Sequence, residues 1–208
     1  MTHTEGYWSY AGIYSGSHAE GGYYINNSNK FPGGQCIGDS YGAHAEGLST
    51  TTKAIGAHAE GCGSRAEGNG SHAEGGIWEN KSGTYVISCG TYAKGPASHA
   101  EGNRTSAIGD ASHAEGYTSN STGSYSHAEG GNTVAYGGYT HAEGNGTSAF
   151  GSSSHTEGTR TKTISNYLKS SEIGFGHAEG YETVAGYVAH SECWSTSAFG
   201  NGSHAEGY

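Results

Sequence analysis

Aspartate, proline, methionine and basic residues are all scarce in this chain. Of 208 residues, two are proline, one is methionine and nine are lysine or arginine, while aspartate occurs only as Asp39 and Asp110. Two aspartates cannot furnish the repeated ligand sets of calcium-binding nonapeptide rolls. Nine scattered basic residues against nineteen acidic ones give a formal net charge of −10. That balance argues against a nucleic-acid partner, which requires clustered Lys and Arg. Apolar residues amount to 32%, much of it Ala and Tyr, so no ordinary hydrophobic core can be assembled. No stretch approaches a transmembrane helix, and membrane insertion is not expected. A basic segment followed by an apolar run is missing too, because Met1-Thr2-His3 enters the first motif at once. This start reads as a soluble component delivered without a classical signal, or as a piece of something longer.

What the chain has instead is glycine, 39 residues of it, and thirteen histidines in one setting. Every histidine opens a His-x-Glu motif, twelve of the thirteen continue to Gly, and ten copies read His-Ala-Glu-Gly. From His99 the series runs His113, His127, His141, His155, always 14 residues apart, and His44, His58 and His72 keep the same step. Halfway between lies an echo, such as Ser106-Ala107-Ile108-Gly109 or Ser148-Ala149-Phe150-Gly151. The unit is therefore seven residues, Ser/Thr-x-Ala-x-Gly-x-x, and two units make one repeat. Self-similarity at a fixed short period predicts a solenoid.

Composition decides between helix and strand. A coiled coil needs large apolar residues at two heptad positions, and glycine costs up to ~1 kcal/mol per site inside a helix. Small residues instead fall at alternate positions, as Ser98, Ala100 and Gly102 do, which is the strand period. Five-residue strands joined by two-residue turns are expected, with Ser, Ala and Gly pointing into a narrow lumen and His and Glu pointing out. Three insertions interrupt the period, around residues 22–37, 76–90 and 159–174. Across them the His-to-His spacings exceed one repeat by 12, 13 and 8 residues, and removing that excess of 33 leaves 175, or 12.5 coils of 14. At ~4.8 Å per coil the single repeat domain, 1–208, is expected to be a rod of roughly 60 Å. Its stability must come from stacked backbone ladders, close packing of small residues and burial between chains, with terminal coils that need capping.

The segment Thr105-Ser106-Ala107-Ile108-Gly109-Asp110-Ala111-Ser112-His113-Ala114-Glu115-Gly116 resembles the head repeats of YadA-like trimeric adhesins. The resemblance covers nearly all of the chain outside the insertions. It implies an all-β fold, a left-handed parallel β-roll with 14-residue coils, assembled as a homotrimer. The Ser-His-Ala-Glu-Gly variant is also similar to repeats of bacterial and phage fibre proteins, where such rolls are shafts or heads. The chain departs from the adhesin pattern at the two outward positions of one strand, where those heads usually carry Val and Ile and this chain has His and Glu. A heptad stalk and a membrane anchor are missing as well.

Those outward positions form the candidate site, a ladder through His18, Glu20, His44, Glu46, His58, Glu60, His72, Glu74, His99, Glu101, His113, Glu115, His127, Glu129, His141, Glu143, His155, Glu157, His177, Glu179, His204 and Glu206. One reading is contact between chains, with His of one chain hydrogen-bonding Glu of the next. Another is a divalent metal, since both side chains are zinc ligands and three chains would converge three imidazoles on an axis. Catalysis is disfavoured, because a catalytic histidine is singular and no unusual nucleophile stands beside one. No cofactor is otherwise expected. Six-residue acyltransferase repeats do not match a period of seven. Ice binding would want regular Thr-x-Thr rows, which isolated cases such as Thr161-Lys162-Thr163 do not make.

Protonating all thirteen histidines would move the formal charge from −10 to +3, so the ladder is expected to respond to pH. His⁺–Glu⁻ pairing would stabilise at low pH, whereas stacked neutral rings would be driven apart there. The alternate strand carries Ile108, Tyr136, Phe150, Ile164 and Phe199 in one slot, shared with Glu67 and Lys94, and is the other candidate trimer face. Cys36, Cys62, Cys89 and Cys193 fit no zinc or disulfide framework. They read as small residues in small sites, with pairing of Cys36 to Cys62 or Cys89 left open. Recognition is expected in the insertions, where Tyr23, Tyr24, Phe31, Trp78, Tyr85, Tyr167 and Phe175 lie among Asn, Ser and Gly and suit a glycan.

The function expected from all this is a non-enzymatic, extracellular structural or receptor-binding rod, a module of a phage tail fibre or surface adhesin. Its partners are itself and a glycan or cell-surface receptor. The alternatives are an end-to-end filament subunit and a metal-binding His/Glu scaffold.

Overall fold

The structure is a computed structural model. It describes residues 1–6, 9–13, 15–22, 40–76, 90–164 and 174–207, and the backbone of Tyr24–Asn26, Asn29–Phe31, Gln35–Cys36, Ile77–Lys81 and Thr84–Ser88. The chain is all-β, with no helix among the described residues. It folds as two compact units, Met1–Ala107 and Ile108–Tyr208, and each is a solenoid of parallel strands with coils of about 14 residues. In both units one sheet is built from the His-x-Glu strands, such as His58–Cys62 on His72–Gly75, and His127–Gly131 on His141–Asn145. A second sheet is built from two-residue strands, such as Arg65–Ala66 on Tyr92–Ala93, and Val134–Ala135 on Ser148–Ala149. Register is the identity register: His lies on His, Ala on Ala, Glu on Glu and Gly on Gly.

The seven-residue unit has a backbone cause. Five residues after a typical His the chain turns through a left-handed residue, as at Arg104, Thr118 and Asn132, with φ of 62°, 58° and 56°. Two residues before a typical His it does so again, as at Ala111, Tyr125 and Tyr139, with φ of 49°, 58° and 57°. These corners are seven residues apart. Non-glycine residues occupy this region at a cost, and the stacked ladder offsets it. The corner N–H of Asn132 donates to the Tyr117 carbonyl of the coil before (2.8 Å), and that of Tyr139 to the Ser124 carbonyl (3.0 Å). Hydrogen bonding between coils thus continues around the corners.

The interior matches the expectation of small residues only. Ala100, Ala114, Ala128 and Ala142 are fully buried, and the largest fully buried side chains among the described residues are threonines. The serine or threonine before His closes the turn, as Ser112 Oγ donates to the Gly109 carbonyl at 2.7 Å and Thr140 Oγ1 to the Gly137 carbonyl at 2.6 Å. Ala128, Ala135, Ala142 and Ala149 form one contiguous cluster. Ala142→Leu would add three carbons where Thr is already the limit. We expect a loss of about 3 kcal/mol or more in urea denaturation, at the upper end of overpacking costs, and a loss under 1 kcal/mol would refute so tight a lumen.

The second strand corrects the expected five-residue length. Only Ser106–Ala107 or Val134–Ala135 is extended, because the chain bends at the following Ile108-Gly109 or Tyr136-Gly137. There both amides crowd one acceptor: Ile108 and Gly109 donate to the Ser121 carbonyl at 2.8 and 3.4 Å. The first strand also lies one residue later than expected, running His99–Asn103 rather than from Ser98.

Two insertions carry antiparallel hairpins, Tyr24–Asn26 with Asn29–Phe31 and Ile77–Lys81 with Thr84–Ser88. Gln35–Cys36 already pairs with Thr51–Thr52 of the regular ladder, and Lys162–Thr163 with Ser148–Ala149. Residues 165–173 of the third insertion lie outside the described residues. No described helix is long and apolar enough to cross a membrane.

Candidate functional site: a histidine–glutamate ladder

Identity register places each imidazole over the next. In Met1–Ala107 the rings of His18, His44, His58, His72 and His99 follow one another at centroid spacings of 4.6–4.8 Å, with interplanar angles of 0–7°. In Ile108–Tyr208 the column runs His113, His127, His141, His155, His177, His190 and His204 at 4.7–5.0 Å. Both columns lie outside the lumen, and the His58 and His72 side chains are each 34% exposed. The structure thus brings the sequence-predicted residues together within each unit. It also adds His3, stacked on His18 at 4.6 Å, and His190. His190-Ser191-Glu192-Cys193 breaks the His-Ala-Glu-Gly wording, yet it keeps the register, which is the signal that motif matching passes over.

Beside each imidazole stands the glutamate two residues on. Nε2 lies 3.3 Å from the carboxylate in His18–Glu20, 3.5 Å in His58–Glu60, 3.4 Å in His72–Glu74 and 3.6 Å in His113–Glu115. These separations are within ion-pair reach once the imidazole is protonated. At His44, His58, His72, His127, His141 and His155 the Nε2 atom is buried and makes no hydrogen bond. A buried polar atom without a partner costs about 1–3 kcal/mol. Covering comes from the chain itself, so a neighbouring molecule meets the carboxylates and the outer ring edges.

Burial holds the imidazoles of His44, His58, His127 and His155 below their ordinary value, and adjacent histidines in the column push the same way. Flanking glutamates, Glu46 and Glu60 for His58, oppose this without overcoming it. Within a chain the rings stack on one another while each of these imidazoles also keeps a glutamate beside it.

The second sheet presents different chemistry in the two units. In Met1–Ala107 its outward side is charged: Glu67 accepts from Lys53 Nζ at 2.6 Å and from the Tyr92 hydroxyl at 2.7 Å. Burial and this carboxylate together push the Tyr92 phenol up to about 12. Burial raises Glu67, but the donors Lys53 and Tyr92 outweigh it and leave the carboxyl below its usual range. In Ile108–Tyr208 the same slot holds Tyr136 and Phe199, 62% and 64% exposed, and half-buried Phe150 with Lys162 Nζ 5.1 Å from its ring centroid.

Cys62 is a free, half-buried thiol whose ionisation burial disfavours, and Cys193 is free and exposed. Among the proposed loop residues, Tyr24 and Phe31 are register partners on the first hairpin, and on the second the backbone register pairs Trp78 with Ile87 and Tyr85 with Asn80. Phe175 is exposed, and Tyr23 and Tyr167 lie outside the described residues.

No family model matches this chain, and no curated protein or solved structure is significantly similar to it. The likeness to YadA-type heads rests on the repeat alone.

Proposed function

We propose that the protein is a non-enzymatic structural rod, a module of a homotrimeric extracellular fibre or adhesin of the YadA-like kind, on a virion or cell surface. One observation carries this reading. Among the described residues, successive inner coils, as at His58, His72, His127 and His141, present a half-exposed His edge with its Glu over a lumen filled by Ala, Ser and Thr, so no rung of the ladder is chemically singular. A catalytic site needs a unique constellation, whereas a repeated edge serves lateral contact, once per coil. The aromatic row of Tyr136, Phe150 and Phe199 supplies a second lateral surface. A glycan or cell-surface receptor is assigned to the hairpin insertions, as loops on a rigid scaffold.

Light scattering behind a sizing column at pH 8 tests the assembly. The expected mass is about three times 21.3 kDa. A monomer would refute the trimer, and a polydisperse high mass would replace it with a filament built end to end.

A further inference from the structure

The ladder also has the makings of a row of metal sites inside a single chain. We propose that successive coils bind divalent transition-metal ions such as Zn²⁺ or Co²⁺. Each ion is held by Nε2 of one histidine, the carboxylate two residues on, and Nε2 of the histidine one coil later. The inference concerns one chain and does not depend on the trimer.

Three observations support it. First, the ligand atoms of His44, Glu46 and His58 lie within 4.8 Å of one another, and the same holds for His58, Glu60 and His72 and for His127, Glu129 and His141. Second, the Nε2-to-carboxylate separations of 3.3–3.6 Å in five of the pairs match an edge of a tetrahedral zinc site. Bonds of about 2.0–2.2 Å at tetrahedral angles give edges near ~3.4 Å. Third, the nitrogens that would ligate are buried and without a hydrogen-bond partner, as at His58 and His127. An ion between Nε2 and the carboxylate supplies both with a partner, and imidazole with carboxylate is a donor set for Zn²⁺, Co²⁺ and Ni²⁺.

Stacking sets the stoichiometry. The rings of His127 and His141 are nearly parallel at 4.9 Å, and each lone pair lies in its own ring plane. Two parallel rings cannot aim at one ion, so binding turns one ring out of the column toward the glutamate edge. A ring turned toward one ion is lost to the next. Each ion therefore consumes two histidines, and alternate steps fill. Six histidines in Met1–Ala107 and seven in Ile108–Tyr208 each make three such pairs.

The test is calorimetric titration of the chelator-stripped full chain with ZnCl₂ at pH 7.5. Saturation near six ions per chain is expected, with the same titration of the urea-unfolded chain at least ten-fold weaker. The combined variant E115Q, E129Q, E143Q, E157Q, E179Q and E192Q keeps every imidazole and should saturate near three. The proposal is overturned by the absence of saturable binding, by a stoichiometry near thirteen, or by a folded glutamine variant that binds as the native chain does. Should that variant fail to fold by circular dichroism, Co²⁺ absorption of the native chain decides. Intense bands of four- or five-coordinate cobalt support the site, and the weak spectrum of the hexaaqua ion removes it.

Discussion

At pH 5 the chelator-treated protein is expected to melt on the order of 10 °C below its melting temperature at pH 8. The sign follows from the columns. Burial and neighbouring rings depress His44, His58, His127 and His155, so the unfolded chain takes up protons more readily than the folded one. Stability from this source is complete above the ordinary imidazole value of ~6.5 and is lost as pH falls through it and then through the lower folded values.

The size follows from spacing and burial. Two imidazolium rings 4.7 Å apart, as His113 and His127 would be, repel by about 1 kcal/mol even at the dielectric of water. Salt screens little over that distance. The first unit has five successive ring contacts. That repulsion is roughly matched by attraction to the glutamates two residues on, at 3.3–4.0 Å, so the loss comes chiefly from charging half-buried rings, the largest cause of the depressed values. A net loss of about 2 kcal/mol corresponds to a shift on the order of 10 °C for a unit of this size. Replacing His44, His58 and His72 with Gln should flatten the profile. A melting temperature that instead rises toward pH 5 would mean that His⁺–Glu⁻ pairing dominates.

Two adjacent glycines make the second large prediction. Gly130→Ala is expected to cost about 3 kcal/mol or more, and Gly131→Ala to stay within about 0.5 kcal/mol. Gly130 has φ +109°, and a Cβ there would strike the carbonyl oxygen of Gly144 in the next coil. The backbones approach so closely that neither rotamer choice nor side-chain movement relieves the contact. Gly131 has an ordinary φ, and a methyl group placed on its Cα would meet nothing within 4 Å. Urea melts of the two variants side by side measure the difference. Equal effects would show that strand spacing adapts to a methyl group, and that the glycine column is a matter of composition rather than of contact.

The glycine contrast also shows what the sequence made legible. The period, the strand assignment and the Ala/Ser/Thr lumen all follow from the 14-residue spacing of His44, His58 and His72 and from small residues at alternate positions. Strand length in the second sheet did not, because the bend that ends it falls at Ile108-Gly109 and Tyr136-Gly137, where the alternation still reads as strand; nor did the left-handed corners, which fall on residues with no common chemistry: Ser49, Arg104, Thr118, Asn132 and Glu182. Nothing in an arginine or a threonine announces a positive φ. It is the stack of coils that imposes it. The ladder was visible as two columns, but whether imidazole meets imidazole or carboxylate depends on ring rotation, which alternation does not encode. Burial of Nε2 was equally invisible, since it comes from the coils above and below.

Identity register makes length a free variable of this molecule. Because His127 sits on His113 as His141 sits on His127 in the backbone ladder, excising residues 127–140 would set His141 on His113 with every type of contact retained. A gene encoding such a chain can lose or gain coils by unequal recombination between near-identical segments, and the products remain foldable. The interruptions then act as landmarks. A hairpin such as Ile77–Lys81 with Thr84–Ser88 marks one coil as different from its neighbours, so it holds an address along the axis while the coils on either side are counted in or out.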